Sequence, residues 1–244
     1  MKTLQMICFV LLVIVSVSYA QNDFQKDVIT TSAGPLEITF IGHGTLMFQF
    51  GEVIVHADPV SRYADYSKLP KADIVLITHQ HGDHFDKAAL NLIAKPDVKI
   101  IITETISKDY EGGIIMKNGD TKIIQGVEIQ AVPAYNVEHK RNSGDPFHPK
   151  GEGNGYVITF GNKRVYIAGD TENVPEMDQI ENLDIAFLPM NLPYTMTPEM
   201  VADAAIRMQP TVLYPYHFGD TDPKLLVDLL KNEKNIEVRI RNMK

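Results

Sequence analysis

The sequence predicts an α/β fold in which two mixed β-sheets pack against each other with helices on their outer faces. Two observations carry this prediction. Each half of the 244-residue chain begins with closely spaced strand-like segments and continues with strands that alternate with helices. Several of the latter strands are continuous apolar runs, such as residues 74–78, which is typical of strands buried on both faces. Two packed sheets with outer helices would bury the apolar faces of these elements.

The first half begins with short strands separated by turns that contain Gly42, Gly44 and Gly51. The polar residues 21–34 precede them and are expected to form a loose lead-in. Residues 86–94 have apolar side chains at helical spacing and form the predicted helix of this half. The predicted strands are residues 36–40, 46–50, 53–57, 74–78, 99–103, 114–116, 122–124 and 127–132.

The second half contains a long segment, residues 135–155, that lacks hydrophobic periodicity and includes Pro146 and Pro149. Loops of about 20 residues inside domains are uncommon and are usually functional. Thr197 is expected to cap a helix over Pro198–Met208. The other predicted elements are strands at residues 156–160, 164–168, 185–188, 212–214 and 236–240, and a helix at 223–231.

The first twenty residues have the pattern of a secretory signal peptide. Lys2 precedes an apolar run at residues 7–17, and Ser18-Tyr19-Ala20 offers a cleavage site. The run is shorter than the about 20 residues that span a membrane, although an uncleaved anchor is an alternative. We therefore expect cleavage near Ala20, a secreted or periplasmic protein without stable membrane insertion, and a single domain over residues 21–244.

Charge and cysteine content narrow the function. The chain has 23 Lys and Arg against 31 Asp and Glu, and its net charge of −8 becomes −9 when Lys2 leaves with the signal. This acidic balance argues against nucleic-acid binding, which normally needs a basic face. The single cysteine, Cys8, lies in the signal. A disulfide framework and a thiolate zinc site are therefore excluded, and metal ligands must be nitrogen and oxygen atoms.

Three histidines and an aspartate lie within six positions after a predicted buried strand: His79, His81, Asp83 and His84. Neutral imidazoles and a carboxylate suit zinc and similar divalent ions. In an extended segment His79 and His81 point the same way. Gly82 would permit a sharp turn that lets Asp83 and His84 face a second ion. A surface histidine cluster at a helix start is the alternative.

This H-x-H-x-D-H run resembles the signature of the metallo-β-lactamase superfamily, and the likeness extends over nearly all of the chain after residue 20. Asp58-Pro59, Ala168-Gly169-Asp170-Thr171 and Tyr216-His217-Phe218 match further landmarks in the same order. Gly42-His43-Gly44-Thr45 and Leu188-Pro189 with Tyr194-Thr195-Met196 are similar to the branch that contains ascorbate-phosphate lactonase and N-acylphosphatidylethanolamine phospholipase D. The resemblance implies a four-layer αββα sandwich and a metal-dependent hydrolase.

The resemblance also implies a centre of two divalent ions, with zinc preferred and manganese, iron or nickel as alternatives. Asp83 and Asp170 would hold the ions and orient the nucleophile, a metal-bound hydroxide, and Asp170 would bridge the ions. Asp58 would orient a ligand rather than bind metal. The expected ligands are His79, His81, Asp83, His84, His148, Asp170 and His217.

One position departs from the pattern of this branch. Where the branch has a histidine that completes the first metal site, this chain has Asn136, which is a poor zinc ligand. His139 and His148 lie just beyond it. His148 is favoured because the prolines around it would hold it in place. His139 is one alternative, and a site completed by Asn136 or by water is the other.

Further polar residues are expected to contact substrate or to support the ligands, namely His43, Asp58, Asn136, His139 and Tyr194. A structural role is the alternative for His43, and core packing is the alternative for Tyr194. Lys140, Arg141 and Lys150 lie in the irregular loop and could attract an anionic substrate, or could simply be solvated.

These features favour a hydrolase of a small-molecule ester, lactone, phosphodiester or amide. A nuclease of the same fold is disfavoured by the acidic charge, and a β-lactamase by the closer match to the lactonase branch. A secreted metal-binding protein without catalysis is supported only by Asn136. The sequence specifies neither the substrate nor the oligomeric state.

Overall fold

Two β-sheets of seven strands each form the centre of the computed structural model, which describes residues 24–244. The first sheet consists of β1 (Gln25–Thr31), β2 (Gly34–Gly42), β3 (Thr45–Phe50), β4 (Val53–Ala57), β5 (Ala72–Leu76), β6 (Ala94–Ile102) and β7 (Ile114–Ile115), which lie side by side in chain order. From β1 to β4 the neighbours are antiparallel, and from β4 to β7 they are parallel. The sheet is therefore mixed, as the sequence predicts.

The second sheet repeats this topology. Its strands are β8 (Thr121–Ile124), β9 (Val127–Ala134), β10 (Gly153–Phe160), β11 (Lys163–Ile167), β12 (Ile185–Pro189), β13 (Val212–Tyr216) and β14 (Glu237–Val238). Neighbours are antiparallel from β8 to β11 and parallel from β11 to β14. The two halves of the chain thus build one sheet each.

Aromatic side chains from both sheets fill the space between them. The ring of Phe40 lies 4.9 Å from that of Tyr214, and the ring of Phe48 lies 5.7 Å from Phe160 and 6.0 Å from Phe187, measured between centroids. Such tilted and offset pairs add about 0.5–1.5 kcal/mol each beyond the burial of their area. This shared core holds the two sheets, and hence the two halves of the site, in one arrangement.

Helix α1 (Lys87–Ile93) covers the outer face of the first sheet. It begins where the Asp86 carboxylate accepts hydrogen bonds from the backbone N–H groups of Ala88 and Ala89. Because side chains of a strand alternate, Val75 and Ile77 join α1 on the outside, whereas the intervening apolar side chains face the core between the sheets.

Helix α2 (Pro198–Met208) begins at Thr197, whose hydroxyl accepts a hydrogen bond from the backbone N–H of Met200. It packs against β12 and against α3 (Lys224–Leu229). With helices outside both sheets, the predicted αββα sandwich is confirmed.

The N-terminal segment differs from the prediction of a loose lead-in, because β1 pairs along its whole length with β2. Asp27 on β1 also accepts hydrogen bonds from Arg241, at 2.7 Å, and from Tyr214. The predicted last strand, residues 236–240, is only two residues long. The predicted signal peptide and its cleavage near Ala20 fall outside the described residues. Between residues 24 and 244, no helix is long and apolar enough to cross a bilayer.

Candidate metal centre

The candidate site lies at one edge of the sandwich, where the parallel strands of both sheets end. β2 and β9 end at the same edge, because one antiparallel strand separates each of them from the parallel strands. Ligands of α/β proteins commonly bind beyond the carboxyl ends of strands. The predicted site residues that come one to three positions after these ends, or in the run that starts there, are His43, Asp58, the run His79 to His84, Asn136, Asp170 and His217.

A first cluster consists of His79, His81 and His148. Nε2 of His79 lies 3.1 Å from Nδ1 of His81, and Nε2 of His148 lies 3.2 Å from the same atom. Asp170 adds a carboxylate oxygen, Oδ2, which is 3.3 Å from Nε2 of His148. Four of the predicted ligands thus converge on one point.

A second cluster consists of His43, Asp83, His84 and His217. The other carboxylate oxygen of Asp170, Oδ1, lies 3.4 Å from Nε2 of His84 and 3.5 Å from Nε2 of His217. Oδ2 of Asp83 lies 3.8 Å from Nε2 of His217 and 3.3 Å from Nε2 of His43. Asp170 therefore lies between the two clusters and offers one oxygen to each.

Hydrogen bonds outside the clusters determine which ring nitrogens are free to bind a cation. Oδ2 of the buried Asp58 accepts the hydroxyl proton of Thr78 at 2.7 Å and the Nδ1–H of His84 at 2.8 Å. Because its proton is donated to Asp58, the Thr78 hydroxyl accepts from Nδ1–H of His79, at 3.0 Å. Both imidazoles therefore direct Nε2 into the clusters, as metal-binding histidines do.

Among the described residues, several buried atoms at this point have no hydrogen-bond partner, including Nε2 of His84, Oδ1 of Asp170 and Nε2 of His217. Unpaired buried polar atoms are costly. Ligands around a tetrahedral ion with bonds of about 2.0 Å lie about 3.3 Å apart, which is close to the distances between these atoms. The donor set also consists of imidazoles and carboxylates, which suit such an ion. A divalent cation therefore fits the residues present.

Protonation of the side chains agrees with this fit. Burial lowers the pKa of His79 well below its usual range, and burial together with the nearby His148 lowers the pKa of His81. Burial would raise the pKa of Asp170, but the imidazoles of His217 and His84 outweigh it and hold the pKa far below its usual range. His84 itself is destabilised as a cation by burial, yet the carboxylates of Asp170 and Asp58 raise its pKa to about 9. The site therefore attracts positive charge.

The irregular loop brings His148, and not His139, to the first cluster. Both Nδ1 and the backbone N–H of His139 are hydrogen-bonded to Oε1 of Glu172, at 2.8 and 2.7 Å, away from the clusters. Among the predicted ligands in the described part of the chain, Asn136 is hydrogen-bonded to His148, whose Nδ1 lies 2.8 Å from the Asn136 Oδ1. The role of each residue as a ligand stays a prediction.

A pocket of about 280 Å³ opens over both clusters. Its wall is formed by Arg141, Phe147, Asn191 and Tyr194, and its floor by predicted ligands from both clusters. Arg141 lies over the Phe147 ring, at 5.1 Å from the centroid, and Tyr194 packs edge-on against the same ring. The pocket therefore combines an aromatic wall with one guanidinium.

Lys150 and Tyr216 lie outside the pocket lining. Lys150 forms an ion pair with Glu176 at 2.6 Å, so that its charge is already paired. Tyr216 is buried in the core, where its hydroxyl accepts a hydrogen bond from the backbone N–H of Gly169 at 2.8 Å. Of the basic loop residues, it is Arg141 that lines the pocket.

Gly82 is not needed for the turn between the two clusters. Its φ angle lies outside the left-handed region, and a Cβ atom there would contact nothing within 4 Å. The turn is closed instead by hydrogen bonds from the backbone N–H groups of His84 and Phe85 to the carbonyl of His81, at 2.9 and 2.8 Å. The glycine is compatible with this geometry but does not cause it.

The sequence analysis missed Glu172, whose buried carboxylate holds the start of the irregular loop. Its partners are mainly backbone N–H groups, which leave no pattern in a sequence. The one available signal is its place two positions after Asp170, at the same strand end. Phe147 and Asn191 in the pocket wall were missed for a similar reason, because neither belongs to a motif.

A family model described as a beta-lactamase superfamily domain matches residues 37–217. The chain belongs to this superfamily. A protein from Parabacteroides distasonis that is named as a metal-dependent hydrolase is 49% identical, and its crystal structure matches with a TM-score of 0.87 over 91% of this chain and 100% of that chain. A UPF0173 metal-dependent hydrolase from Thermus thermophilus is 30% identical, over 77% of this chain and 86% of its own.

A metallo hydrolase from Ignicoccus hospitalis shares the fold, with 24% identity and a TM-score of 0.71 over 85% of this chain and 95% of that chain. This member of the superfamily is therefore a metal-dependent hydrolase with the metallo-β-lactamase fold, as its sequence predicts. Its assignment to the branch with the lactonase and the phospholipase D stays a prediction, because these relatives are named only as metal-dependent hydrolases.

Proposed function

We propose that the protein is a secreted hydrolase that uses two divalent cations, preferably zinc, to cleave a small-molecule ester, lactone, phosphodiester or amide that carries a negative charge. The observation that carries the proposal is the position of Asp170, whose two oxygens face two separate sets of imidazoles. A single buried carboxylate between two nitrogen-rich clusters suits a pair of ions. The residues that would hold them are His79, His81, Asp83, His84, His148, Asp170 and His217.

When bound, the two cations would lower the pKa of a water molecule and polarise the bond under attack. The protein supplies the orientation. Asp83 lines the pocket, and its Oδ2 lies 3.3 Å from Nε2 of His43. This carboxylate would orient the attacking water and accept its proton. Tyr194 and Phe147 would hold the apolar part of the substrate against the pocket wall.

The position of Arg141 supports the proposal that the substrate carries a negative charge. Arg141 lines the pocket whose floor consists of predicted metal ligands. A guanidinium forms strong, directional hydrogen bonds with carboxylate and phosphate groups. The acidic net charge of −8 still disfavours a polyanion such as a nucleic acid. Export of the protein is supported by the signal-like pattern of residues 1–20.

The test is to purify the protein, measure its metal content by mass spectrometry, and assay a lactone, a phosphodiester, an aryl ester and the β-lactam nitrocefin before and after chelation. Asp170→Asn should lose most of the bound zinc and at least about a hundredfold in kcat/KM. Asp184→Asn is the matched control, because Asp184 pairs with Lys163 at 2.7 Å, outside the site. Full hydrolysis by the metal-free Asp170→Asn protein would refute the proposal.

The substrate panel separates the candidate reactions. Turnover of nitrocefin above that of the other substrates would identify a β-lactamase, and turnover of none of them by a protein that binds two ions would contradict the proposed substrate classes. Export is tested independently, by expressing the full chain in a bacterium and sequencing the N-terminus of the periplasmic protein. A mature N-terminus near Gln21 is expected.

A further inference from the structure

Asn136 uses its whole side chain to connect the irregular loop with the site. Its Oδ1 lies 2.8 Å from both the backbone nitrogen and Nδ1 of His148. Its Nδ2 donates hydrogen bonds to Oε1 of Glu172, at 3.0 Å, and to the carbonyl of Tyr194, at 2.9 Å. The residue is 6% exposed. A buried amide with every hydrogen-bonding direction occupied cannot rotate without leaving its partners unpaired.

The orientation of this amide follows from its partners. The backbone N–H of His148 can only donate, whereas the Glu172 carboxylate and the Tyr194 carbonyl can only accept. The oxygen of Asn136 must therefore face His148, and Nδ1 of His148 must carry a proton that it donates to this oxygen. Nε2 of His148 then faces the first cluster, 3.3 Å from Oδ2 of Asp170.

Glu172 holds the segment that follows Asn136. Its side chain is only 1% exposed, and it accepts hydrogen bonds from the backbone N–H groups of Val137, Glu138 and His139, at 2.7, 2.6 and 2.7 Å. A carboxylate with several N–H donors is a strong anchor, because the charge strengthens each hydrogen bond. The loop is therefore fixed at its beginning by one side chain.

Glu172 also lies two residues after Asp170, and its backbone N–H donates to the carbonyl of Tyr135 at 3.0 Å. The chain of contacts from Glu172 through Asn136 to His148 thus begins beside one predicted ligand of the first cluster and ends on another. The position of His148 is therefore set relative to Asp170, although the two residues are twenty-two positions apart in the chain.

We propose that Asn136 and Glu172 are positioning residues that together place His148, with its Nε2 directed at the first metal cluster. The inference rests on the proposed function, since it requires an ion at His79, His81 and His148. Partners of this kind, which orient a ligand without touching the metal, typically change metal affinity by about 10–100-fold when they are removed. The second cluster, around His217, should be unaffected.

The first measurement uses the metal-free protein, with its histidine rings labelled with ¹⁵N. In the wild type, the NMR shifts of His148 should show the proton on Nδ1, because Asn136 accepts it. In Asn136→Ala this preference should be lost, while His79, whose Nδ1 donates to the Thr78 hydroxyl, should keep its own. A purely structural role of Asn136 would leave the proton position at His148 unchanged.

The second measurement is the affinity for each of two zinc ions, by competition with a chromophoric chelator. Asn136→Ala and Glu172→Gln should each lower the affinity for one ion by about 10–100-fold and the affinity for the other ion by less than about threefold. His81→Ala identifies the affected ion, because His81 belongs to the first cluster only. Glu176→Gln is the matched control, since Glu176 holds the same loop through Lys150, at 2.6 Å, without touching Asn136. It should change neither affinity by more than about threefold.

A pair of substitutions tests the contact between the two residues directly. Asn136→Asp keeps an acceptor for His148 but opposes a second carboxylate to Glu172, so that the first ion should again bind about tenfold more weakly. Adding Glu172→Gln removes this repulsion between two carboxylates, and the double variant should bind the first ion more tightly than Asn136→Asp. The recovery should be partial, because residue 136 still opposes an acceptor to the Tyr194 carbonyl. Should the alanine variant not fold, this pair gives the same comparison.

The inference is wrong if the variants bind both ions as the wild type does, if Glu176→Gln weakens the first ion as much as Glu172→Gln, or if the double variant is weaker than Asn136→Asp. Equal weakening of both ions would also overturn it, because it would show general loosening. A wild type that binds two ions and hydrolyses its substrate while the variants show no effect leaves the proposed function intact. A wild type without bound ions refutes both.

Discussion

Replacing Gly44 with alanine should displace His84 from the second cluster. A Cβ atom at Gly44 would lie 2.7 Å from Cε1 of His84 and 3.1 Å from its Nδ1. The imidazole cannot easily move away, because it is fully buried and Nδ1 is held by Asp58 at 2.8 Å. Either the ring or the turn that carries Gly44 must therefore shift.

The size of the effect follows from these distances. Carbon atoms in ordinary contact lie about 3.5 Å apart, so that relief requires a displacement of about 0.8 Å. Metal–ligand bonds tolerate deviations of only about 0.2 Å. We therefore expect the ion at His84 to bind about 10–100-fold more weakly, which corresponds to about 1.4–2.7 kcal/mol. The overpacking should also lower the free energy of unfolding of the metal-free protein by about 1–3 kcal/mol.

The assay combines chelator competition with urea unfolding of the metal-free protein. Gly82→Ala is the matched control, because it makes the same change in the metal-binding turn, where a Cβ atom meets nothing within 4 Å. It should alter the free energy of unfolding by less than about 0.5 kcal/mol. If Gly44→Ala binds both ions with wild-type affinity, the close approach of Gly44 to His84 does not constrain the site, and the reasoning fails.

Three further outcomes are expected. Burial lowers the pKa of His56 to about 4, whereas a histidine of the unfolded chain takes up its proton near pH 6.5. The free energy of unfolding should therefore fall by up to about 3 kcal/mol as the pH falls from 6.5 to 4. His56→Phe, compared as metal-free protein by urea unfolding, should lack this part of the slope; an unchanged slope contradicts it. Arg141→Gln should raise KM for an anionic substrate about tenfold with little change in kcat. Lys140→Gln is the control, because Lys140 lies outside the pocket lining, and it should leave KM unchanged. Equal effects of the two substitutions would show that Arg141 does not bind the substrate. Chelation should lower Tm by roughly 10 °C, and a Tm unaffected by chelation would argue against ions that stabilise the fold.

The parts of the site that the sequence predicts are those with a local signature. An apolar run followed by His79, His81, Asp83 and His84 defines both the strand and the ligands that its end presents. The parallel strands could be recognised in the same way, because burial on both faces leaves a continuous apolar run. From the sequence, His148 can be preferred to His139 only because prolines lie beside it. The sequence does not indicate that Asn136 is its hydrogen-bond partner.

The parts that the sequence does not predict depend on contacts between distant residues. β1 has few apolar residues, and Val28 at its centre is 63% exposed, so that no hydrophobic pattern marks it. It is held instead by pairing with β2 and by the hydrogen bonds that Asp27 accepts from Arg241 and Tyr214, which lie in the C-terminal part of the chain. Glu172 is a similar case, since its role as an anchor depends on backbone N–H groups that the loop places around its carboxylate.

The negative charges of the site suggest that metal binding stabilises the contact between the two sheets. Asp58 and Asp170 are buried, Asp83 is partly buried, and the raised pKa of His84 is a sign that the metal-free site gains stability from a positive charge. Burying unpaired negative charge is costly, and a divalent cation would offset that cost. The first half of the chain supplies His79, His81, Asp83 and His84, whereas His148, Asp170 and His217 come from the second. Bound cations would therefore join the carboxyl edges of both sheets, and the metal-free protein should open there before its aromatic core separates.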